Sequence, residues 1–235
     1  MNEAPDQPAA AAAHPDRRHA AVRRVARVAF DKWARSYDRS RLNELVFFPT
    51  IRLCQEEIYR WQASRGERPF RMLDVGCGTG RLVTLLAGQP GAERLIGLDY
   101  SPVMLARASE RVERMGLTER VHLVHGDAER LPFADASFDV VTCCHSFHHY
   151  PHQAAAVASF RRVLRPGGML ILVDGFRDNV VGWVIFDVVV TGIEKNVYHV
   201  PWSELAGMIR GAGFARLTQR KVNVLAPLLV NVAMV

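Results

Sequence analysis

The sequence has no long uninterrupted apolar run. Its longest, residues 180–193, is broken by Asp187, which falls short of the roughly eighteen apolar residues a membrane-spanning helix needs. Cysteine is sparse: Cys54 and Cys77 stand alone, and Cys143 and Cys144 are adjacent. No CxxC spacing is available for zinc or redox chemistry, and neighbouring cysteines rarely close a relaxed disulfide. A reduced, cytoplasmic protein is the expectation. The first residues (Glu3, Pro5, Asp6, Pro8, then alanines over 9–13) lack the basic start and apolar stretch of a secretory signal. Their composition offers little to bury, so residues 1–18 are expected to form a disordered tail. Internal repeats are absent too.

What is present is the balance of an ordinary globular chain, 49% hydrophobic and 23% charged over 235 residues, enough for one substantial core. The formal charge of +6 is uneven. Residues 17–41 carry nine basic side chains against Asp31 and Asp38, a local +7 that leaves the rest of the chain at −1. The body therefore offers no phosphate track, and no nucleic-acid partner is expected. The basic segment reads first as a solvated helix face. Its functional alternative is peripheral contact with an anionic membrane surface through residues 17–41.

Val22, Ala26, Ala29, Trp33 and Tyr37 recur at helical spacing. A second helix after Pro49 places Ile51, Cys54, Ile58 and Trp61 on one face. Beyond a linker at 65–69, short apolar strands alternate with helices. Strands are expected over 70–75, 94–98, 121–124, 138–144 and 169–173. Helices are expected over 81–87, from Pro102 with Leu105, Ala108, Val112 and Met115 inward, and before Arg165 with Val157, Phe160, Val163 and Leu164 inward. A further helix near 203–210 precedes two strands over 215–224 and 227–235. Continuous apolar strands alternating with helices are the pattern of an α/β protein built on a parallel sheet. The alternation lapses over 176–200, an insertion expected to cap a substrate.

Ligands of open α/β sheets bind beyond the carboxyl ends of the strands, and the residues there agree with one another. Gly76, Cys77, Gly78 and Gly80 form a glycine turn through which backbone can approach a ligand. Asp99 ends the next strand, where a carboxylate can accept from both ribose hydroxyls. Asp127 follows the third strand, placed to accept from an adenine amine. A dinucleotide loop reads G-x-G-x-x-G and receives a pyrophosphate. Here the loop reads G-x-G-x-G, with Asp74 just before it. A carboxylate repels pyrophosphate and attracts an ammonium or sulfonium, so S-adenosylmethionine fits and NAD does not.

With residues 73–80 (LDVGCGTG), 97–105 (GLDYSPVML), 126–133 (GDAERLPF), 137–141 (SFDVV) and 163–170 (VLRPGGML) in order, the chain resembles the class I S-adenosylmethionine-dependent methyltransferases. The resemblance implies a Rossmann-like, seven-stranded, mostly parallel sheet with helices on both faces, its last strand antiparallel, plus an N-terminal helical extension. The organisation it implies is a tail (1–18), a helical lid segment (19–66) and a methyltransferase domain (67–235). Asp74 and the 76–80 loop would hold the methionine end. Asp99 would take the ribose, Tyr100 and Met104 would pack near the adenine, and Asp127 with the Ala128 amide would read its edge. His145 would lie near the methionine moiety. Residues 30–38 (FDKWARSYD) resemble the entry segment of ubiquinone/menaquinone-biosynthesis-type methyltransferases, in which the tyrosine corresponding to Tyr37 helps close the cofactor site.

His145, His148, His149 and His152 are close in sequence, but abundance alone does not make ligands converge, and no metal is expected. Methyl transfer needs alignment of a nucleophile, exclusion of water and, for a weakly acidic acceptor, removal of a proton. His145, His149, His199 and Tyr37 are the candidates for that step. The expected reaction is methyl transfer to oxygen, carbon or nitrogen of a small molecule, with a quinone-like or other apolar aromatic acceptor leading. A nicotinamide-dependent oxidoreductase and a non-catalytic binding module of the same fold are the alternatives.

Overall fold

The computed structural model describes residues 48–175, 198–222 and 228–235. Tyr37, the tail, the basic 17–41 segment and all but the last three residues of the 176–200 insertion lie outside this range.

The first described element is helix α1 (Phe48–Ser64). Strand β1 (Phe70–Val75) leads into the short helix α2 (Arg81–Leu86), then β2 (Ala92–Asp99) and helix α3 (Pro102–Arg114). Strands β3 (Val121–His125) and β4 (Phe138–Cys144) follow, with a 3-10 turn at Phe147–His149 and helix α4 (Gln153–Val163). The last elements are β5 (Leu164–Gly175), α5 (Trp202–Gly211), β6 (Arg216–Val222) and β7 (Leu228–Met234). Seven strands form one sheet in the order β3-β2-β1-β4-β5-β7-β6. The first five run parallel, and β7 is antiparallel to both of its neighbours, β5 and β6.

The apolar runs exist because the sheet is buried on both sides. Successive side chains of a strand point to opposite faces, so β5 sends Leu170 and Leu172 to one core with Phe160 of α4 and Ile209 of α5. It sends Met169, Ile171 and Val173 to the other, with Ile58 of α1 and Leu86 of α2. Helix α1 is thus packed into a core through Cys54, Ile58 and Trp61, and its first turn stands at the carboxyl ends of the strands.

Two local expectations are corrected. In α3 the buried line is Met104, Ala108 and Val112, a strict i, i+4 row. Leu105 falls on the flank and is half-buried. Met115 lies past the last helical turn and is 52% exposed. Leu164, assigned from its spacing to the helix, opens β5 instead. The ladder pairs Phe138 with Leu164 and then Val140 with Met169, so residues 165–168 form a bulge inside the strand. Arg165 fixes that bulge with a bond to Asp139 Oδ2 at 2.9 Å.

One buried polar pair fastens the antiparallel end of the sheet. Asn231 of β7 is fully buried, donates to the Leu172 carbonyl at 3.0 Å and accepts from Gln219 Nε2 at 2.8 Å. Replacing it by leucine removes both bonds, although Gln219 Nε2 keeps the Trp202 carbonyl at 3.1 Å, so Asn231→Leu is expected to destabilise by about 1–3 kcal/mol. Urea unfolding of the two proteins measures it; an unchanged midpoint would remove this pair from the account of stability.

Candidate functional site

Beyond the carboxyl ends of the parallel strands lies a cavity whose walls come from the loops after β1, β2, β3 and β4, closed on one side by Phe48 and Ile51 of α1. Strand β1 is central, between β2 and β4, so Asp74 sits deep and is only 3% exposed. Thr142 of β4 donates to its Oδ1 at 2.7 Å. Burial pushes its pKa up to about 7; the Thr142 bond opposes this and the Asp99 charge adds to it. Between the ordinary carboxylate value and about 7, the folded chain holds a proton the unfolded chain has released. The contribution of Asp74 to stability therefore falls as pH rises through that window. A cation placed beside Asp74 stabilises the ionised form and reverses the trend.

The loop after β1 owes its shape to Asp99 at the end of β2. Its Oδ2 accepts from the Gly78 N–H and its Oδ1 from the Ser101 N–H, both at 2.8 Å. One carboxylate therefore ties the glycine loop to the start of α3, and each oxygen keeps a lone pair for a ligand donor. Burial raises its pKa, and these backbone bonds pull the other way. Ser101 caps α3, accepting from the Met104 N–H at 3.2 Å, as expected of a Ser-Pro helix start. That places the buried Met104 on the cavity wall, while Tyr100 stacks on His125 at the rim with ring centroids 5.9 Å apart.

Gly76 has a φ of +71°. A Cβ there would overlap Ser146 Oγ and come within 3.1 Å of the Tyr150 hydroxyl. Ser146 Oγ itself donates to the Val75 carbonyl at 3.2 Å and lies 2.9 Å from Tyr150 Oη, so the floor of the loop is already filled. Asp127 and Ala128 also face the cavity, and Asp127 Oδ1 accepts from the Glu129 N–H at 2.9 Å in a local turn.

The structure brings Asp74, Gly76, Cys77, Gly78, Asp99, Tyr100, Met104, Asp127, Ala128, His145 and His149 to this one cavity. Gly80 stands beside it as the residue before α2. His145 occupies a positive-φ conformation, +55°, and its Nε2 lies 2.7 Å from Thr50 Oγ1 of α1. His149 is held neutral: burial depresses its pKa well below the ordinary imidazole value, and the neighbouring His148 adds to the effect. His199 is in a different place, in a second small cavity with His148 and Asp174. Tyr37 lies outside the described residues. Thr142, Ser146, Tyr150, Thr50 and Phe48 were missed in the sequence. Only Thr142 carried a signal, as a lone hydroxyl in an otherwise apolar stretch of β4.

Residues 73–172 match the family model described as a methyltransferase domain. Over that stretch the chain is similar to the methyltransferase-domain family. The matched stretch begins one residue before Asp74 and includes every described cavity residue except those of α1. A demethylmenaquinone methyltransferase of Listeria welshimeri is 35% identical over 155 residues, 66% of this chain and 64% of that protein. Its counterpart from Staphylococcus aureus is 34% identical over 146 residues, 62% and 58% of the two chains. The chain thus spans under two thirds of the length of these relatives. A SAM-dependent methyltransferase from Thermotoga maritima shares the fold at a TM-score of 0.65 and 21% identity, over 88% of this chain and 98% of that one.

No helix among the described residues is long and apolar enough to cross a membrane. The Gly76→Ala variant should fold, because the strained turn lies at the surface of the cavity, yet lose adenosyl-ligand affinity at least about tenfold as Ser146 and Tyr150 are displaced. Calorimetric titration checks this; unaltered affinity would show that the loop tolerates a side chain.

Proposed function

We propose that this protein transfers a methyl group from S-adenosylmethionine to a small-molecule acceptor, an apolar aromatic of the quinol type. The observation that carries the reading is the pair of carboxylates facing one cavity: Asp74, buried and with no ion pair among the described residues, and Asp99, half-buried and gathered onto the glycine loop. An ammonium beside Asp74 and ribose hydroxyls at Asp99 complete both. Met104, Tyr100, Asp127 and the Ala128 amide would take the adenine.

When bound, S-adenosylmethionine supplies a methyl already activated by its sulfonium. The chain's own residues then hold, orient and exclude water. Phe48 and Ile51 of α1 cover the cavity, and Thr50 pins α1 to His145. Two imidazoles, His145 and His149, line the same cavity, and His149, being neutral, is in the form that receives a proton. The quinol assignment draws on the curated relatives, whose printed name is demethylmenaquinone methyltransferase; oxygen, carbon and nitrogen acceptors all remain compatible with the cavity.

Titration with S-adenosylmethionine at pH 6 and pH 8 tests the cofactor. Ionised Asp74 is the form that pairs with the ammonium, so affinity should rise roughly tenfold between these values. Asp99→Ala should cost about 2–4 kcal/mol of binding. Absence of adenosyl binding at both pH values would overturn the reading. For the proton, His149→Gln should lower kcat by about 100-fold on a phenol or quinol acceptor while leaving S-adenosylmethionine affinity within about threefold. Unchanged kcat would move proton removal to another group.

A further inference from the structure

A second group of chemistry-bearing side chains lies behind the turn that follows β4, outside the cavity assigned above. His148 Nδ1 is 2.6 Å from Asp174 Oδ1, and Asp174 Oδ2 accepts from the His148 backbone N–H at 2.9 Å. The His199 ring stacks on His148 at 4.8 Å with 15° between the planes. The ligand atoms of His148, Asp174 and His199 all lie within 4.8 Å of one another. Asp174 and His199 are buried. The three side chains open onto a cavity of about 10 Å³, walled by Phe147, Tyr198 and Leu205, which is room for one water-sized body.

We propose that His148, Asp174 and His199 form a binding site for one divalent first-row transition metal ion, with zinc as its natural fit. Two imidazoles and one carboxylate suit zinc or cobalt; calcium and magnesium prefer all-oxygen shells, and copper(I) prefers sulfur. Ligand atoms around tetrahedral zinc stand about 3.4 Å apart, so the widest gap, at most 4.8 Å, closes by little more than an ångström while the His148–Asp174 pair opens from 2.6 Å by somewhat less. On loading, the six-coordinate aquo ion loses five waters, gains two imidazole nitrogens and a carboxylate oxygen, and keeps one water in the tetrahedral site. The proton shared by His148 and Asp174 leaves to the buffer. The fourth position faces the small cavity and takes a water.

The site has a purpose that a buried His–Asp pair alone lacks. Asp174 is the penultimate residue of β5 and His199 stands two residues after position 197, so the metal joins both flanks of the 176–197 segment. It ties them to His148, whose neighbour His149 lines the large cavity. The Tyr198 N–H already donates to the His148 carbonyl at 2.6 Å, and Gln153 Nε2 donates to the Tyr198 carbonyl at 2.7 Å. The ion thus fastens a junction that the backbone has drawn together.

The test uses the full chain without a polyhistidine tag, stripped with a chelator and titrated with zinc by calorimetry and with cobalt by visible absorption. One equivalent of each metal should bind, with tetrahedral cobalt bands and no thiolate-to-metal charge-transfer band. His199→Gln should weaken zinc by at least about tenfold, whereas His122→Gln, an exposed histidine on β3, should change nothing. No stoichiometric binding, or binding indifferent to His199→Gln, overturns the proposal. A thiolate band overturns it too, by assigning the metal to Cys54 and Cys144, whose sulfurs are 3.3 Å apart. If His199→Gln does not fold, the cobalt spectrum of the unmodified protein still decides. All readouts are taken without S-adenosylmethionine, so their outcome is separate from that of the methyl-transfer reading.

Discussion

The carboxylate of Asp99 is the constraint on which the site depends. Its two oxygens hold two backbone N–H groups from different segments, Gly78 in the loop after β1 and Ser101 at the start of α3. The loop cannot keep its shape without the strand beside it, and α3 cannot start where it does without the same side chain. The loop is secured again from α3, where Arg111 Nε donates to the Thr79 carbonyl at 2.9 Å. A ligand arriving here meets groups already oriented, so less of its binding energy goes into ordering the protein.

Burial of the sheet on both faces explains why so much of the fold was legible. Residues 138–144 and 169–173 read as strands because both sides of each strand need apolar side chains, and a run of that length leaves few alternatives. Ser101-Pro102 announced α3 through the chemistry of its first turn. The failures are as specific. Leu164 sits at a junction where the helical and strand patterns both accept an apolar residue, and only pairing with Phe138 decides between them. Met115 satisfied the spacing of a helix that had already ended.

The candidate site was legible where chemistry and strand ends coincide, at Asp74, Asp99, Asp127 and the glycines. It was not legible where residues act through packing. Ser146 and Tyr150 look like loop residues, yet their hydroxyls fill the volume beneath Gly76. Thr50 meets His145 across 95 positions of sequence, a contact no local pattern encodes. His199, grouped by residue type with His145 and His149, belongs with Asp174 because the chain re-enters the domain on the far side of the turn after β4.

The position of β7 has a consequence for the chain's assembly. Strand β7 follows β6 in sequence but lies between β6 and β5 in the sheet. Until residues 228–234 have been synthesised, the outer edge of β5 has no partner and β6 has nothing to join. During translation the parallel half of the sheet can form first, with a long apolar edge exposed to other chains. Closure of that edge waits on a single segment, so between completion of β5 and emergence of β7 from the ribosome this edge is open to pairing with another chain.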